Sequence, residues 1–261
     1  MEKGDVRMRA CRIVGWVRRL VALVSLTAMT GLFVCPTVAC FKALDWLPRI
    51  QLVPAVAAGS LLVLVGIAVS VALCGRLYCS TVCPLGILQD LFRDVVTLAP
   101  FRRVAKRPLP RKPLIPSAAL RVVRLAFLLA FVASAFFGLF AWLAPYGIFG
   151  RAAASFSNGT VTAVKVLALG QLALILLATL WRGRFWCNTV CPVGTFLGLF
   201  SRFAVFRVRI DKAKCVNCNL CVRACPNGCI PPDKEKTVDH SRCVSCFACA
   251  GVCGKGALTW R

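Results

Sequence analysis

The chain has 261 residues, of which 59% are hydrophobic, and it carries 33 Lys and Arg against nine Asp and Glu. This apolar fraction exceeds that of ordinary soluble domains and indicates a membrane protein. A net charge of +24 could indicate nucleic acid, but the basic residues flank long apolar runs. Membrane proteins place Lys and Arg there for topological reasons, so we expect no nucleic-acid partner.

Four segments are long and apolar enough to predict membrane-spanning helices. They lie at about residues 20–40, 52–74, 125–144 and 161–181. The first follows a basic stretch, as in a signal peptide, but its length favours a retained anchor helix over a cleaved leader. The predicted fold class is mainly α. We expect a four-helix polytopic membrane domain over residues 1–206 and a small α+β ferredoxin domain over residues 207–261.

Basic residues alternate across the connections between these spans and predict the orientation. Residues 1–19 hold six Lys or Arg, 41–51 two, 75–124 ten, 145–160 one, and the tail from 182 thirteen. Because basic loops stay on the cytoplasmic side, we expect a multi-pass protein of the inner (cytoplasmic) membrane with both termini cytoplasmic. The Pro-rich basic stretch 100–116 is expected to lie against anionic membrane lipids, or to bind a partner.

A cysteine-containing turn occurs twice, at a constant offset of 108 residues. Residues 75–92 read GRLYCSTVCPLGILQDLF and residues 183–200 read GRFWCNTVCPVGTFLGLF, with ten of eighteen positions identical. Each copy follows an even-numbered span, so the sequence predicts two duplicated two-helix units. Such duplication commonly builds a two-fold arrangement with a site between the halves.

The four cysteines of this repeat are the candidate reactive or catalytic residues, and we call them the turn cysteines: Cys79, Cys83, Cys187 and Cys191. Proline follows the second cysteine of each copy, so that cysteine is expected at a helix N-cap, where free N–H groups should lower its pKa. The turn cysteines are expected to bind a further iron–sulfur cluster or copper, or to cycle as a dithiol. The reducing cytoplasm favours a cluster or metal. The alternative is that they are small buried apolar side chains at helix ends.

Five other cysteines share no repeated spacing, and we expect them to be structural: Cys11, Cys35, Cys40, Cys74 and Cys229. Cys35 and Cys40 lie together near the outer face and could form a disulfide there.

The tail carries the cysteine spacing of bacterial two-cluster ferredoxins. Cys215-x2-Cys218-x2-Cys221-x3-Cys225-Pro recurs as Cys243-x2-Cys246-x2-Cys249-x3-Cys253, without the proline. The fourth cysteine of each run serves the other cluster. We therefore predict two [4Fe–4S] clusters. The Cys215 set is Cys215, Cys218, Cys221 and Cys253, and the Cys243 set is Cys243, Cys246, Cys249 and Cys225. Four-thiolate zinc is the alternative, but structural zinc does not use this spacing.

The two Cys-x3-Cys-Pro turns and the ferredoxin tail together resemble the NapH family, within a wider group of NosR-type and CcoG-type membrane polyferredoxins. The resemblance covers nearly the whole chain. It implies an electron-transfer component like the quinol dehydrogenase subunits of periplasmic nitrate reductase systems, working between the quinone pool and a partner redox protein. Whether the chain is itself an enzyme stays open. The alternatives are a metal or thiol reductase in the maturation of a respiratory metalloenzyme, and a membrane anchor for another Fe–S subunit. The single histidine, His240, excludes bis-His haem within the chain.

Overall fold

The computed structural model describes residues 2–34, 44, 46–98, 118–136, 145–156, 163–232 and 236–260. Within these ranges the chain is mainly helical, and its two short strands form one sheet. The expected Cys35–Cys40 disulfide and the basic stretch 100–116 fall outside the described residues.

The first half contains a long helix and a series of shorter ones that end in the first cysteine turn. These helices are α1 (Glu2–Val34), α2 (Trp46–Arg49), α3 (Leu52–Ala57), α4 (Leu61–Cys74), α5 (Tyr78–Thr81) and α6 (Pro84–Leu98). The second half contains α7 (Ala118–Phe136), α8 (Pro145–Ala154), α9 (Ala163–Arg182), α10 (Phe185–Thr189) and α11 (Pro192–Ser201).

The duplicated turns have the same local structure. In each, a long apolar helix ends at a glycine, a one-turn helix carries the first cysteine, and a third helix begins at the proline after the second cysteine. The two glycines, Gly75 and Gly183, have φ angles of 70° and 65°. A left-handed glycine is a common way to end a helix, so the repeat in sequence is also a repeat in backbone conformation.

The tail forms a small α+β unit. Strand β1 (Val208–Ile210) pairs antiparallel with β2 (Leu258–Trp260), which joins the start of the tail to its end. Helices α12 (Leu220–Ala224) and α13 (Ala248–Val252) each begin within a cysteine run. The two runs share their backbone conformation as well as their spacing, because positive φ angles recur at matched positions: Asn217 and Ser245, and Asn219 and Phe247.

Two helices in the described part of the chain are long and apolar enough to cross a membrane, Ile13–Val34 and Ala163–Leu180. They correspond to the first and fourth expected spans. The second and third expected spans contain shorter apolar helices, Leu61–Cys74 and Val122–Ser134. The third expected span also extends into residues 137–144, which lie outside the described ranges.

The second expected span is not a straight helix. A continuous helix over residues 52–74 would separate its ends by about 34 Å, at 1.5 Å per residue. Instead the backbone N of Leu52 lies 3.0 Å from the hydroxyl of Tyr78, just beyond the C-terminal end of the segment. The break falls between α3 and α4, where Gly59 has a φ of 63°. Helix α3 therefore begins beside the first turn, and α4 returns to it.

The connection before α3, which we expected to be an external loop, also enters the bundle. Gln51 is buried, donates to the carbonyl of Val82 at 3.0 Å and accepts from Tyr78 at 2.7 Å. In the second half, Ile148 of α8 belongs to the same buried core cluster as Cys79 and Cys83. Both inter-span connections thus contribute residues to the core around the turns.

One core cluster joins the two halves and the tail. Its buried members come from α4, α6, α8, α9 and α11, from both turns and from the tail: Ile67, Val71, Tyr78, Cys79, Cys83, Leu85, Ile148, Ile175, Cys191, Val193, Leu197 and Val244. The cysteine turns therefore lie where the three parts of the described chain meet.

Candidate functional site

The four turn cysteines come together in the protein interior. Each is only 4–6% exposed. The thiol of Cys83 lies within electrostatic range of Cys79 and Cys187, and that of Cys191 within range of all three others. The two halves of the chain therefore supply two thiols each to one buried site.

The second cysteine of each turn lies at the start of a helix, as the prolines indicated. Cys191 is the N-cap of α11, and its Sγ accepts a hydrogen bond from the backbone N of Gly194 at 3.3 Å. The expected lowering of the pKa is wrong, however. Burial raises the pKa of Cys83 to about 12 and also raises the pKa values of Cys187 and Cys191. Loss of hydration and repulsion between neighbouring thiolates outweigh the helix N–H groups.

Two buried arginines connect the halves. Arg76 of the first turn donates to the carbonyl of Cys187 at 3.2 Å, and Arg184 of the second turn donates to the carbonyl of Cys79 at 3.0 Å. Both side chains are fully buried. Each arginine thus crosses to the first cysteine of the other turn, which is the two-fold relation expected from the repeat.

Glycines leave room for this packing. A Cβ on Gly86 would overlap the carbonyl oxygen of Cys79, and a Cβ on Gly194 would overlap that of Cys187. The two glycines occupy matched positions in the repeat. The helices after the turns can therefore approach the turn backbone closely only because these positions lack side chains.

The first half supplies polar groups that the second half lacks. Gln89 is fully buried, and its Nε2 lies 3.6 Å from the Sγ of Cys187. Asp90 accepts two hydrogen bonds from Arg184, at 2.9 and 2.6 Å, and lies 3.8 Å from Arg18 of α1. Burial acts to raise the pKa of Asp90, but the charge and hydrogen bonds of Arg184 outweigh it and lower the pKa.

Sequence reasoning missed these residues. Gln89 and Asp90 align with Leu197 and Gly198 in the second copy. The signal was present as a departure from the repeat: two polar residues stand where the other copy has an apolar residue and a glycine.

The tail is docked onto both turns by hydrogen bonds to backbone carbonyls. On the second turn, Arg184 N bonds to Pro226 O at 3.1 Å and Asn188 Nδ2 to Asn227 O at 3.1 Å. On the first, Arg76 bonds to Ser241 O at 3.1 Å. Ser245 of the tail donates to the carbonyl of Cys74, at the end of α4, at 3.0 Å. The tail and the turns are therefore one packed unit.

Each predicted ligand set of the tail lines its own cavity. One cavity is lined by all four members of the Cys215 set, and the other by all four members of the Cys243 set. The fourth cysteine of each run lies at the other run's cavity, as the ferredoxin spacing requires. Cys229, which we expected to be structural, also lines the Cys243 cavity.

The three cysteine sites lie in a fixed order. Cys246 packs against the core cluster that contains the turn cysteines. Arg184 lies within electrostatic range of both Cys187 and Cys246. In the Cys215 set, Cys218 is solvent-exposed. The order is therefore the Cys215 set nearest the solvent, the Cys243 set in the middle, and the turn cysteines deepest.

The donor sets suit [4Fe–4S] clusters, which are held by four cysteine thiolates. In such a cluster each thiolate binds a different iron, so the sulfurs need not converge on one point. No group of three or more His, Cys, Asp or Glu among the residues that the structure describes is arranged to hold a single metal ion.

Comparison with family models supports iron–sulfur binding in both parts of the chain. A model described as a 4Fe-4S binding domain matches twice, at residues 56–108 and 165–211, and each match contains one cysteine turn. A model described as a 4Fe-4S dicluster domain matches residues 214–257. The match of one model to both halves supports the duplication that the repeat indicated.

The chain is also similar to several curated proteins. It is 30% identical to the Escherichia coli protein YccM over 191 residues, which is 69% of this chain and 49% of that protein. It is 33% identical to the ferredoxin-type protein NapH of Escherichia coli over 165 residues, or 61% and 51% of the two chains. The methylamine utilization ferredoxin-type protein MauN of Paracoccus denitrificans is 31% identical over 159 residues, or 58% and 48%. The matched region spans about half the length of these relatives, and no solved structure matches the chain.

Proposed function

We propose that this chain, a homologue of the NapH-type ferredoxin proteins, carries electrons between the quinone pool and a partner redox protein through three iron–sulfur clusters. The observation that carries the proposal is the ordered series of three four-cysteine sites, with Arg184 within electrostatic range of a cysteine in both the deepest and the middle one. When bound, a [4Fe–4S] cluster accepts and releases one electron, which suits dividing the two electrons of a quinol.

The ligands of two clusters are the Cys215 set and the Cys243 set, whose cavities keep the four thiols of each set together. We assign a third cluster to the turn cysteines, because the 4Fe-4S binding model matches both turns. Four buried thiols and two buried arginines are a donor set and a counter-charge for an anionic cluster. The cross-bonded arginines fix the backbone of Cys79 and Cys187 and so orient those two ligands.

We further propose that the protein is multi-pass in the inner membrane. Large apolar side chains are exposed on the apolar helix of each of the four expected spans, including Val24 on α1, Leu62 on α4, Leu129 on α7 and Leu174 on α9. Exposed apolar surface of this extent is typical of contact with lipid. The tail bonds to both turns, so the turns and all the ferredoxin cysteines lie on one side, and the distribution of basic residues favours the cytoplasmic side.

A cavity of about 430 Å³ beside the turns is our candidate for the quinone site. Its lining is almost wholly apolar and comes from α3, α7 and α11, including Leu52, Leu128 and Val193. Val193 belongs to the core cluster that holds Cys191, and Leu52 packs against that cluster. The size and apolar lining are typical of a small-molecule site. A lipid-soluble carrier could therefore reach the turn cysteines from the bilayer.

The cluster assignment is tested by iron analysis and EPR on protein purified anaerobically in detergent. Three clusters require about twelve iron and twelve labile sulfide per chain. Changing Cys79→Ser or Cys187→Ser should remove about a third of the iron and leave the tail signals intact. About eight iron in the wild type, unchanged in both variants, would restrict the clusters to the tail. Stoichiometric zinc or copper without cluster absorption would refute the assignment.

The quinone site is tested with two neighbouring residues of α7. Leu128 lines the cavity, whereas Leu129 is 61% exposed and is not part of its lining. Leu128→Trp should fill the cavity and slow the reduction of the clusters by a quinol analogue. Leu129→Trp adds the same bulk outside the cavity and should leave that rate unchanged. Equal rates in the two variants would place the quinone elsewhere.

A further inference from the structure

The cavity of the Cys243 set contains one cysteine more than a cluster needs. Cys229 lines it together with Cys225, Cys243, Cys246 and Cys249. Its side chain is 1% exposed, so it has no contact with a partner or with solvent that would explain a thiol there. A cavity with four ligands for one cluster therefore has a fifth thiol with no assigned role.

Cys229 contacts two of the four ligands. Its backbone N donates to the Sγ of Cys225 at 3.3 Å. Its thiol lies within hydrogen-bonding reach of the sulfurs of both Cys225 and Cys243. Cys229 is the donor, because a cysteine that binds iron does so as a thiolate, which has no proton and can only accept.

The other cavity provides an internal comparison. Cys229 follows the last cysteine of its run by four residues, and Ala257 follows Cys253 by the same interval. Ala257 is also buried, and it lines the Cys215 cavity. At this matched position the two halves of the ferredoxin repeat differ, with a thiol at one cavity and a methyl group at the other.

We propose that Cys229 is a positioning residue that raises the reduction potential at the Cys243 set above that at the Cys215 set, by donating a hydrogen bond to the ligand sulfurs Cys225 and Cys243. Reduction adds negative charge, and hydrogen bonds to cluster sulfurs stabilise the more negative state. The inference relies on the two tail clusters of the proposed function but not on the turn cluster or the quinone. As a consequence, the reduction potential at the Cys243 set is higher than that at the Cys215 set. An electron then resides preferentially at the Cys243 set, next to the turns.

The test is an EPR-monitored redox titration of the full-length protein, which resolves two midpoint potentials for the tail clusters. Cys229→Ala should lower the higher midpoint and leave the lower one unchanged, with both clusters retained. Ala257→Cys, the reciprocal change, should raise the lower midpoint. Cys229→Ser keeps a donor and should restore most of the wild-type separation.

The outcomes separate this inference from the proposed function. Two clusters whose midpoints do not respond to Cys229→Ala or Ala257→Cys would overturn the role of Cys229 while leaving the electron-transfer assignment intact. Loss of one cluster in Cys229→Ala would also overturn it, since Cys229 would then be a ligand. Absence of tail clusters from the wild-type protein would instead refute the proposed function.

Discussion

Arg76 and Arg184 show why the buried positions of the two turns need guanidinium groups. Arg184 bonds to Cys79 O with one nitrogen and to Asp90 with two others, while Arg76 bonds to Cys187 O and Ser241 O. A lysine ammonium on a flexible stem cannot hold such divergent partners in a fixed fork. One residue type therefore joins the halves, docks the tail and supplies positive charge beside the thiols.

We expect Asp90→Asn to destabilise the protein strongly, because it leaves the buried Arg184 without its carboxylate. Breaking a buried ion pair by removing one partner costs about 3–5 kcal/mol. Asp94→Asn is the matched control, one helical turn further along α6, where the carboxylate is 43% exposed and pairs with Arg93. Exposed pairs contribute at most about 1 kcal/mol. Thermal unfolding in detergent should separate the two variants, and equal melting temperatures would contradict the role of the Asp90–Arg184 pair.

Gly86→Ala and Gly194→Ala should each disrupt the turn site. The added methyl group would overlap the carbonyl oxygen of Cys79 or Cys187, which is backbone and cannot move aside cheaply. Gly170→Ala on α9 is the control, because nothing lies within 4 Å of the added Cβ. Iron content should fall by about one cluster in the first two variants and stay at the wild-type value in the third. Full iron content in all three would show that the turns tolerate a side chain there.

Among the elements, the cysteine turns and the ferredoxin runs could be predicted from the sequence, whereas the course of the chain between spans could not. Cysteine spacing such as that from Cys215 to Cys225 can be recognised in a short segment, because a cluster binds only cysteines at certain separations along the chain. The bend between α3 and α4 depends instead on Leu52 meeting Tyr78 across the bundle. The residues on both sides of Gly59 are apolar, so composition indicates one continuous span.

Burial explains why the expected lowering of the pKa of the N-cap cysteines is wrong. The prolines correctly indicated that α11 begins beside Cys191. They carried no information on how deeply the helix start is buried. That depth depends on how two segments 108 residues apart pack together, and it reverses the direction of the pKa shift.

Tyr78→Phe should weaken the attachment of α3 to the first turn. The hydroxyl accepts from the backbone N of Leu52 and donates to Gln51, and its loss leaves buried polar groups without this partner. Each such group costs about 1–3 kcal/mol. Ser70→Ala on α4 is the control, because its hydroxyl bonds to the carbonyl of Ile67 in its own helix. We expect a clearly lower melting temperature for Tyr78→Phe alone, and similar losses in both variants would contradict the contact.

Across the whole molecule, α1 packs against the tail as well as against α6 and α8. Gly15 of α1 packs against Phe247, and Cys11 lies in a buried cluster with Val208 and Leu258 of the tail sheet. Further along the same helix, Arg18 donates to the carbonyl of Ser80 in the first turn at 3.0 Å. The first part of α1, both turns and the tail therefore lie at one end of the bundle. In a membrane, all of them would face the same side.

The side of the membrane on which the turns and the tail lie is tested with two exposed phenylalanines, one in a connection that the basic residues predict outside and one in a segment that they predict inside. Phe156, after α8, is 72% exposed and lies in the connection that holds one basic residue, while Phe203, between α11 and the tail, is 78% exposed. The backbone after Phe203 bonds to α4 near its end, at Ala72 and Leu73, beside the first turn. Because basic segments stay in the cytoplasm, a membrane-impermeant thiol reagent applied to intact cells should label Phe156→Cys, but should label Phe203→Cys only after the membrane is opened. The wild-type protein corrects for native thiols such as the exposed Cys218. The reverse pattern would place all three cysteine sites outside the cytoplasm, and the partner redox protein would then have to meet the Cys215 set on that side.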